Sequence, residues 1–354
     1  MEGEKGEVCI TGGTGFVASW LIMRLLEHGY SVNTIIRPDP DHKRDVSFLT
    51  SLPGASEKLR IFEADLSDPE SFGEAVKGCI GVFHVATPVD FENREPVELH
   101  ACLKSKTVKR VVYTSSASAV AFNDKDVDVM DETYWTDVEY VRAKMTFGAS
   151  YFISKTMTEK KALEFAEEHK LDLVTLIPTF VIGPFICPKL PGSVHTSLAM
   201  LFGEKEQYGS LLSMSMVHVD DVARAHIFLF ELPEARGRYN CSSHTVTIQE
   251  LAKFLSAKYP EFPMPTIESL KDIKGFKAAE LSSEKLLKSG FSYKYRLHEM
   301  VDEAIQCCKE NGYLFLFFLL QRKDNKKITN DGGTQPRLNL GKAAPGRLPE
   351  AREE

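Results

Sequence analysis

A doubly wound α/β architecture, a parallel sheet with helices on both faces and a smaller C-terminal lobe, is predicted by three features of the chain. Strand-like apolar runs alternate with helix-period segments from Val8 to Pro178, the pattern of strands joined by right-handed helical crossovers. Glycines cluster between the first such run and the first helix. The length, 354 residues, suits two units of ordinary size.

Val8 to Thr11 reads as a short buried strand, closed by Gly12-Gly13-Thr14-Gly15. Phe16 to His28 carries Phe16, Trp20, Leu21 and Leu25 at helical spacing and stops at Gly29, a residue suited to a helix C-terminus. A second strand, Tyr30 to Ile36, ends in Arg37 and the breaker Pro38-Asp39-Pro40. The third is Leu59 to Glu63, followed by Asp65 and a helix capped at Ser67 or Asp68. Gly81 to Ala86 and Arg110 to Thr114 are the fourth and fifth, and the helix Tyr151 to Glu168 leads to the sixth, Leu171 to Pro178.

After Pro184 the rhythm changes. Pro188, Pro191 and Gly192 space short segments, and Met216 to Val219 leads into a helix from Asp220 or Asp221 to Phe230. Gly237 to Cys241 is a further strand, and helices are expected near Ile248 to Tyr259 and Leu297 to Asn311. The expected organisation is a nucleotide-binding unit over 1–184, to which 216–242 returns, a substrate lobe over 185–314, and a tail over 315–354. Residues 321–354 carry a net charge of +3 with few large apolar groups, a composition that predicts disorder.

Composition narrows the function classes. A hydrophobic fraction of 43% with 26% charged residues is that of a folded globular chain. The net charge of −7 argues against a nucleic-acid partner. Seven cysteines without a C-x-x-C pair point to reduced thiols. The charged N-terminus gives no sign of a leader, and the longest apolar run, Tyr313 to Leu320, is far short of the roughly 20 residues that span a bilayer. A cytoplasmic monomer or weak oligomer acting on a small molecule is expected, with no membrane or metal. His218 and His226 flank Asp220 and Asp221, which are read as helix-capping residues rather than as half of a metal site. Met214 and Met216 are read either as core or as lining a substrate pocket.

Three clusters carry chemistry. Thr11 to Ala18 places Gly12, Gly13, Thr14 and Gly15 between strand and helix, with Phe16 and Val17 opening the helix. Glycines let a backbone approach a pyrophosphate closely, and a helix start offers free N–H groups. Arg37 stands at the end of the second strand, with Lys43 and Arg44 behind it. An acidic residue there would grip a ribose 2′-hydroxyl, whereas arginine suits a 2′-phosphate, so the predicted cofactor is NADP(H). Tyr151 and Lys155, four apart on a helix, can reach one pocket, where an ammonium would favour the phenolate. Ser116, after Thr114 and Ser115 at the fifth strand's end, is placed to hydrogen-bond a substrate oxygen.

Together, T-G-x-x-G-x-x-A, the strand-end Thr-Ser-Ser and Y-x-x-x-K resemble the extended short-chain dehydrogenase/reductase family, with its Rossmann fold. Arg37 to Pro40, Asp65-Leu66, Val85 to Pro88 and Ile177 to Pro184 are similar to its plant dihydroflavonol reductase-like branch. The resemblance implies Ser116, Tyr151 and Lys155 as catalytic residues, Tyr151 giving the proton and Lys155 also holding the nicotinamide ribose. It implies adenine-side contacts from Asp65 and Leu66, and cofactor contacts from Val85, Ala86, Thr87, Pro178, Thr179, Phe180, Val181 and Ser193. The implied reaction is NADPH-dependent reduction of a flavonoid or isoflavonoid-type ketone to an alcohol.

Where dihydroflavonol reductases carry Asn or Asp to grip catechol hydroxyls, Ala121 stands, which favours an isoflavanone over a dihydroflavonol. Only residues 88–109 link the fourth and fifth strands, a shorter crossover than the family's. It is expected to leave one sheet face less covered. Two further readings therefore stay open, a catalytically impaired NADP(H)-binding protein and a dihydroflavonol 4-reductase, with a sugar-nucleotide epimerase disfavoured by Arg37.

Overall fold

The computed structural model describes residues 5–39, 44–64, 69–86, 97–145, 148–276 and 278–314. The strands are β1 (Glu7–Thr11), β2 (Ser31–Ile36), β3 (Leu59–Glu63), β4 (Gly81–His84), β5 (Arg110–Thr114), β6 (Val129–Met130), β7 (Leu173–Pro178), β8 (Phe180–Ile182), β9 (Ser213–His218), β10 (Gly237–Cys241), β11 (His244–Thr247) and β12 (Glu280–Leu281). Seven form one sheet in the order β10-β7-β5-β4-β1-β2-β3, and each of its pairings is parallel. This is the predicted doubly wound sheet. Its inner strand β1 is apolar on both faces, with Val8, Cys9 and Ile10 fully buried, as a strand covered by helices on either side must be.

Two smaller sheets depend on pairings far apart in the sequence. β8, β9 and β11 form one, with β9 parallel to β8 and antiparallel to β11. β6 and β12 form a two-stranded ribbon, pairing Val129 with Glu280 and Met130 with Leu281. Neither was predicted, because all their strands but β9 have only two to four residues and leave no readable period.

The crossover between β4 and β5 differs from expectation. A helix, Val97–Ser105, stands within it. Its Leu99, Ala101 and Cys102 are buried in one cluster with Val111, Tyr113, Phe165 and Leu173. Short as it is, the connection covers that face of β5. Residues 87–96 lie outside the described residues, as do the tail, Lys43 and the expected helix start at Ser67 or Asp68.

The helix that returns to the sheet, Val219–Glu231, corrects a second expectation. Its cap is His218, whose Nδ1 accepts the Asp220 N–H at 3.1 Å. Asp220 and Asp221 instead sit buried in the first turn. Asp220 accepts Trp20 Nε1 at 2.9 Å and pairs with Arg24, both on the helix Phe16–Glu27. Asp221 takes the Lys294 and Tyr295 N–H groups and Arg224. The two carboxylates therefore join the first helix and the chain before Leu297–Glu310 to the sheet. His226 is locked by Thr114 Oγ1 at 2.7 Å and the Val222 carbonyl at 2.8 Å, and burial pushes it down to about 4, so it is neutral. Among the described residues no group of three or more His, Cys, Asp or Glu could hold a metal.

Met214 and Met216 are core, packed with Leu198, Met200 and Val246. All seven cysteines are buried, and none is joined in a disulfide. No helix of the described residues is long and apolar enough to cross a membrane.

Candidate active site

One cavity of about 1840 Å³ runs along the carboxyl ends of the parallel strands, where ligands of open α/β sheets bind. At one end lies the glycine turn. Gly12 has φ +75°, and a Cβ there would approach the Ala86 backbone to 3.0 Å. That left-handed position and close approach both require glycine. The Gly12 and Gly13 N–H groups bond the Ile35 carbonyl at 2.9 and 3.1 Å.

Gly13 also packs inward: a Cβ on it would overlap Thr34 Oγ1 at 2.0 Å. Its role is to let the turn pack on β2. Thr14, Gly15, Phe16 and Val17 line the cavity. The helix that follows has no side-chain cap and no acidic residue in its first turn, so its N–H groups and partial positive charge face the space.

Thr11 is a contributor that the motif reading passed over. Its hydroxyl accepts the N–H groups of Val85 and Ala86 at 3.1 and 3.0 Å and meets His84 Nδ1 at 3.1 Å. That bonding fixes the end of β4 against the turn. Arg37 and Arg44 line the same end, and Arg44 Nη1 reaches Thr14 Oγ1 at 3.4 Å. Asp65, Leu66 and Thr87 lie outside the described residues.

The far wall is made by Pro178, Thr179, Phe180, Val181 and Ser193. Thr179 N–H bonds the Cys241 carbonyl at 3.1 Å, and Ser193 Oγ donates to the Val181 carbonyl at 2.7 Å. These bonds hold the loop after β7 in place.

Ser116, Tyr151 and Lys155 meet between the two walls. Ser116 follows β5 and caps a short turn, its Oγ accepting from Ser118 N–H at 3.2 Å and Ser118 Oγ at 2.9 Å. Its hydroxyl also lies close enough to the Tyr151 phenol to favour the phenolate. Tyr151 and Lys155 lie on the helix Ala149–His169. Lys155 is 3% exposed and donates to the Thr114 carbonyl at 3.0 Å.

Its electrostatics differ from expectation. Burial raises the Tyr151 phenol above its ordinary value, and the Ser116 hydrogen bond is what opposes that rise. Burial lowers Lys155 to about 8 against the opposing pull of Glu159. The ammonium rests on a strand carbonyl, so in this state the serine rather than the lysine favours the phenolate. Tyr151 remains 43% exposed toward the cavity, open to a substrate.

Aromatic side chains that sequence reasoning did not assemble wall the space beside Tyr151. Phe122 stacks on Phe152 with centroids 4.0 Å apart and meets Phe276 at 4.9 Å. Ala121 lines the same region and offers no hydrogen bond. Overhead, two loops touch backbone to backbone: a Cβ on Gly275 would overlap the Gly209 carbonyl oxygen at 2.1 Å. These residues lie far apart in the chain, so no local motif reveals them.

The site can therefore bind a dinucleotide along the turn and present a phenol, a hydroxyl and a buried amine to a carbonyl. The family described as NAD dependent epimerase/dehydratase matches residues 8–242. The chain is 55% identical over 323 residues to vestitone reductase of Medicago sativa, covering 88% of this chain and 99% of that protein. The crystal structure of that reductase superposes with a TM-score of 0.82, covering 87% of this chain and all of that one at 54% identity. Noscapine synthase of Papaver somniferum is 48% identical, covering 89% of this chain and 95% of that protein. Dihydroflavonol 4-reductase of Arabidopsis thaliana is 43% identical, covering 94% and 90%. Fold, cavity and relatives agree: the chain belongs to the NAD dependent epimerase/dehydratase family, uses a nicotinamide dinucleotide, and is an oxidoreductase of the family's dihydroflavonol reductase-like branch.

Proposed function

We propose that the protein reduces the ketone of a flavonoid-type compound, an isoflavanone such as vestitone, to an alcohol with NADPH. The observation that carries this is the meeting of Ser116, Tyr151 and Lys155 in one cavity, beneath an aromatic wall. Residues 1–184, with 216–242, would hold the cofactor, and 185–314 would close on the substrate. The turn Thr14 to Val17 would take the pyrophosphate, and Val85, Ala86, Pro178 to Val181 and Ser193 would flank the nucleotide. Arg37 and Arg44 would face a 2′-phosphate, the support for NADP(H) over NAD(H). Asp65, Leu66 and Thr87 would add contacts, and Lys155 would hold the ribose.

When bound, the reduced nicotinamide supplies the hydride. The protein's own part is to hold the ketone oxygen between Ser116 and Tyr151 and give it the phenolic proton as negative charge builds there. Ser116 steadies that oxygen, and Lys155 stabilises the phenolate that is left. Phe122, Phe152 and Phe276 offer faces for a flat aromatic substrate. Ala121 leaves catechol hydroxyls without a partner, the support for an isoflavanone over a dihydroflavonol. The buried thiols, none joined in a disulfide, suit a reducing cytosol, and a monomer or weak oligomer acting without nucleic acid or membrane is the expected state.

The test is NADPH consumption by the purified chain with vestitone, a flavanone and dihydroquercetin, with Tyr151→Phe as control. Substrate-dependent loss of absorbance, fastest with vestitone and slower by orders of magnitude in the control, is expected. Faster turnover of dihydroquercetin overturns the substrate preference. Tighter binding of NADH than of NADPH overturns the cofactor choice.

A further inference from the structure

Behind the reacting groups lies a carboxylate that the mechanism above does not use. Glu159 is 0% exposed, although it sits on the same helix one turn beyond Lys155, and an unpaired buried charge is very costly. Both of its oxygens are engaged. Ser115 Oγ donates to Oε2 at 2.6 Å, and Arg238 on β10 donates through Nε to Oε1 at 2.8 Å and through Nη2 to Oε2 at 3.3 Å. Arg238 is held in turn by the Glu132 and Tyr134 carbonyls at 2.6 and 2.8 Å and lies 3.6 Å over the Trp135 ring. Such a pair is poor evidence of stability, because desolvation consumes most of its attraction. Its position suggests another purpose.

Resting on the proposed reduction, we infer that Glu159 is a positioning residue: it ties the strand end bearing Ser116 to the helix bearing Tyr151 and Lys155, and keeps the Lys155 ammonium charged. The tie is direct, since Ser115 immediately precedes Ser116 and bonds a side chain two turns along from Tyr151. The charge effect follows from placement. Around Lys155 stand Tyr151 and Glu159 on its own helix, the Thr114 carbonyl on β5, Arg238 reaching Glu159 from β10, and neutral His226 behind Thr114. Glu159 is the anion in this set, shared between two cations, and it opposes the loss of the lysine proton that burial promotes.

The test compares Glu159→Gln with the native full-length chain. The Lys155 titration is followed by NMR in ¹³C-lysine-labelled protein and assigned with Lys155→Met. The midpoint is expected to fall by about 1–2 pH units in Glu159→Gln, and the alkaline limb of kcat with NADPH to move down in pH with it. A midpoint that stays at the native value overturns the charge role. Glu159→Asp keeps the charge but withdraws it from Ser115, so its midpoint should stay near native while kcat falls several-fold; undiminished kcat overturns the tie. Should Glu159→Gln fail to fold, the Asp variant decides alone, a midpoint as far down as that of an uncharged side chain contradicting the charge role. The titration needs no turnover, so a chain that reduced no ketone would defeat the proposed function without touching this result.

Discussion

The two ends of the one cavity are built in opposite ways. At the cofactor end, hydrogen bonds from the backbone tie neighbouring strand ends together: Gly12 and Gly13 to the Ile35 carbonyl, and Val85 and Ala86 to the Thr11 hydroxyl. At the substrate end, Phe122, Phe152, Gly209 and Phe276 come from four separate segments and meet by packing alone. Backbone hydrogen bonds fix a geometry that any member of a family can share. Packed rings and glycine contacts can be exchanged without disturbing the sheet, so chemistry is held constant at one end while specificity can vary at the other.

That contrast can be broken or sharpened by substitution. The largest effect is expected where the ends meet. Tyr151→Phe should lower kcat by roughly 10²–10⁴-fold while leaving NADPH affinity near native, as stopped-flow turnover and fluorescence titration would show. Arg37→Ala, at the cofactor end, should weaken NADPH by about 10–100-fold, the worth of a hydrogen bond to a charged group, and leave NADH binding nearly unchanged. Equal losses for both nucleotides would mean that Arg37 does not face the 2′-phosphate. Gly275→Ala forces the two roof loops apart. It should raise KM for the ketone several-fold with NADPH affinity unaltered, and a loss confined to NADPH affinity would erase the distinction between the two ends.

A smaller, pH-dependent effect concerns Lys155. Its value in the fold, about 8, is below the roughly 10.4 of an unfolded lysine. Between those two pH values the unfolded chain binds the extra proton, so stability contributed by this group rises with pH there. Below about pH 8 both states are protonated and the burial penalty is fully present. Denaturant unfolding of native and Lys155→Met proteins should therefore diverge in slope between pH 8 and 10 and run parallel below. Parallel curves throughout would contradict the burial of a charged amine.

The same division explains what the sequence disclosed. The glycine turn, Arg37 and the Tyr151–Lys155 spacing were legible because each lies on one strand end or one helix face, where period and turn chemistry act locally. What Gly13 packs against was not legible, because a glycine that approaches a ligand and one that approaches a neighbouring strand look alike in sequence. Asp220 and Asp221 looked like caps, and only the fold shows Trp20, Arg24 and Tyr295 arriving from distant segments to claim them. Glu159 stood in plain view at helical spacing from Tyr151 and Lys155, yet its meaning required Arg238 from a strand almost 80 residues later. The aromatic wall had no local signal at all.

The account stands or falls on whether the Ser116–Tyr151 pair delivers a proton while hydride arrives at the same carbonyl. The most direct measurement is mass spectrometry of the alcohol formed from vestitone with NADPH carrying deuterium in both positions at nicotinamide C4. A product heavier by one deuterium, held at the new carbinol carbon, is predicted for the native chain, formed more slowly by orders of magnitude in Tyr151→Phe. Unlabelled alcohol, or NADPH that binds and is never consumed with any ketone, would contradict it.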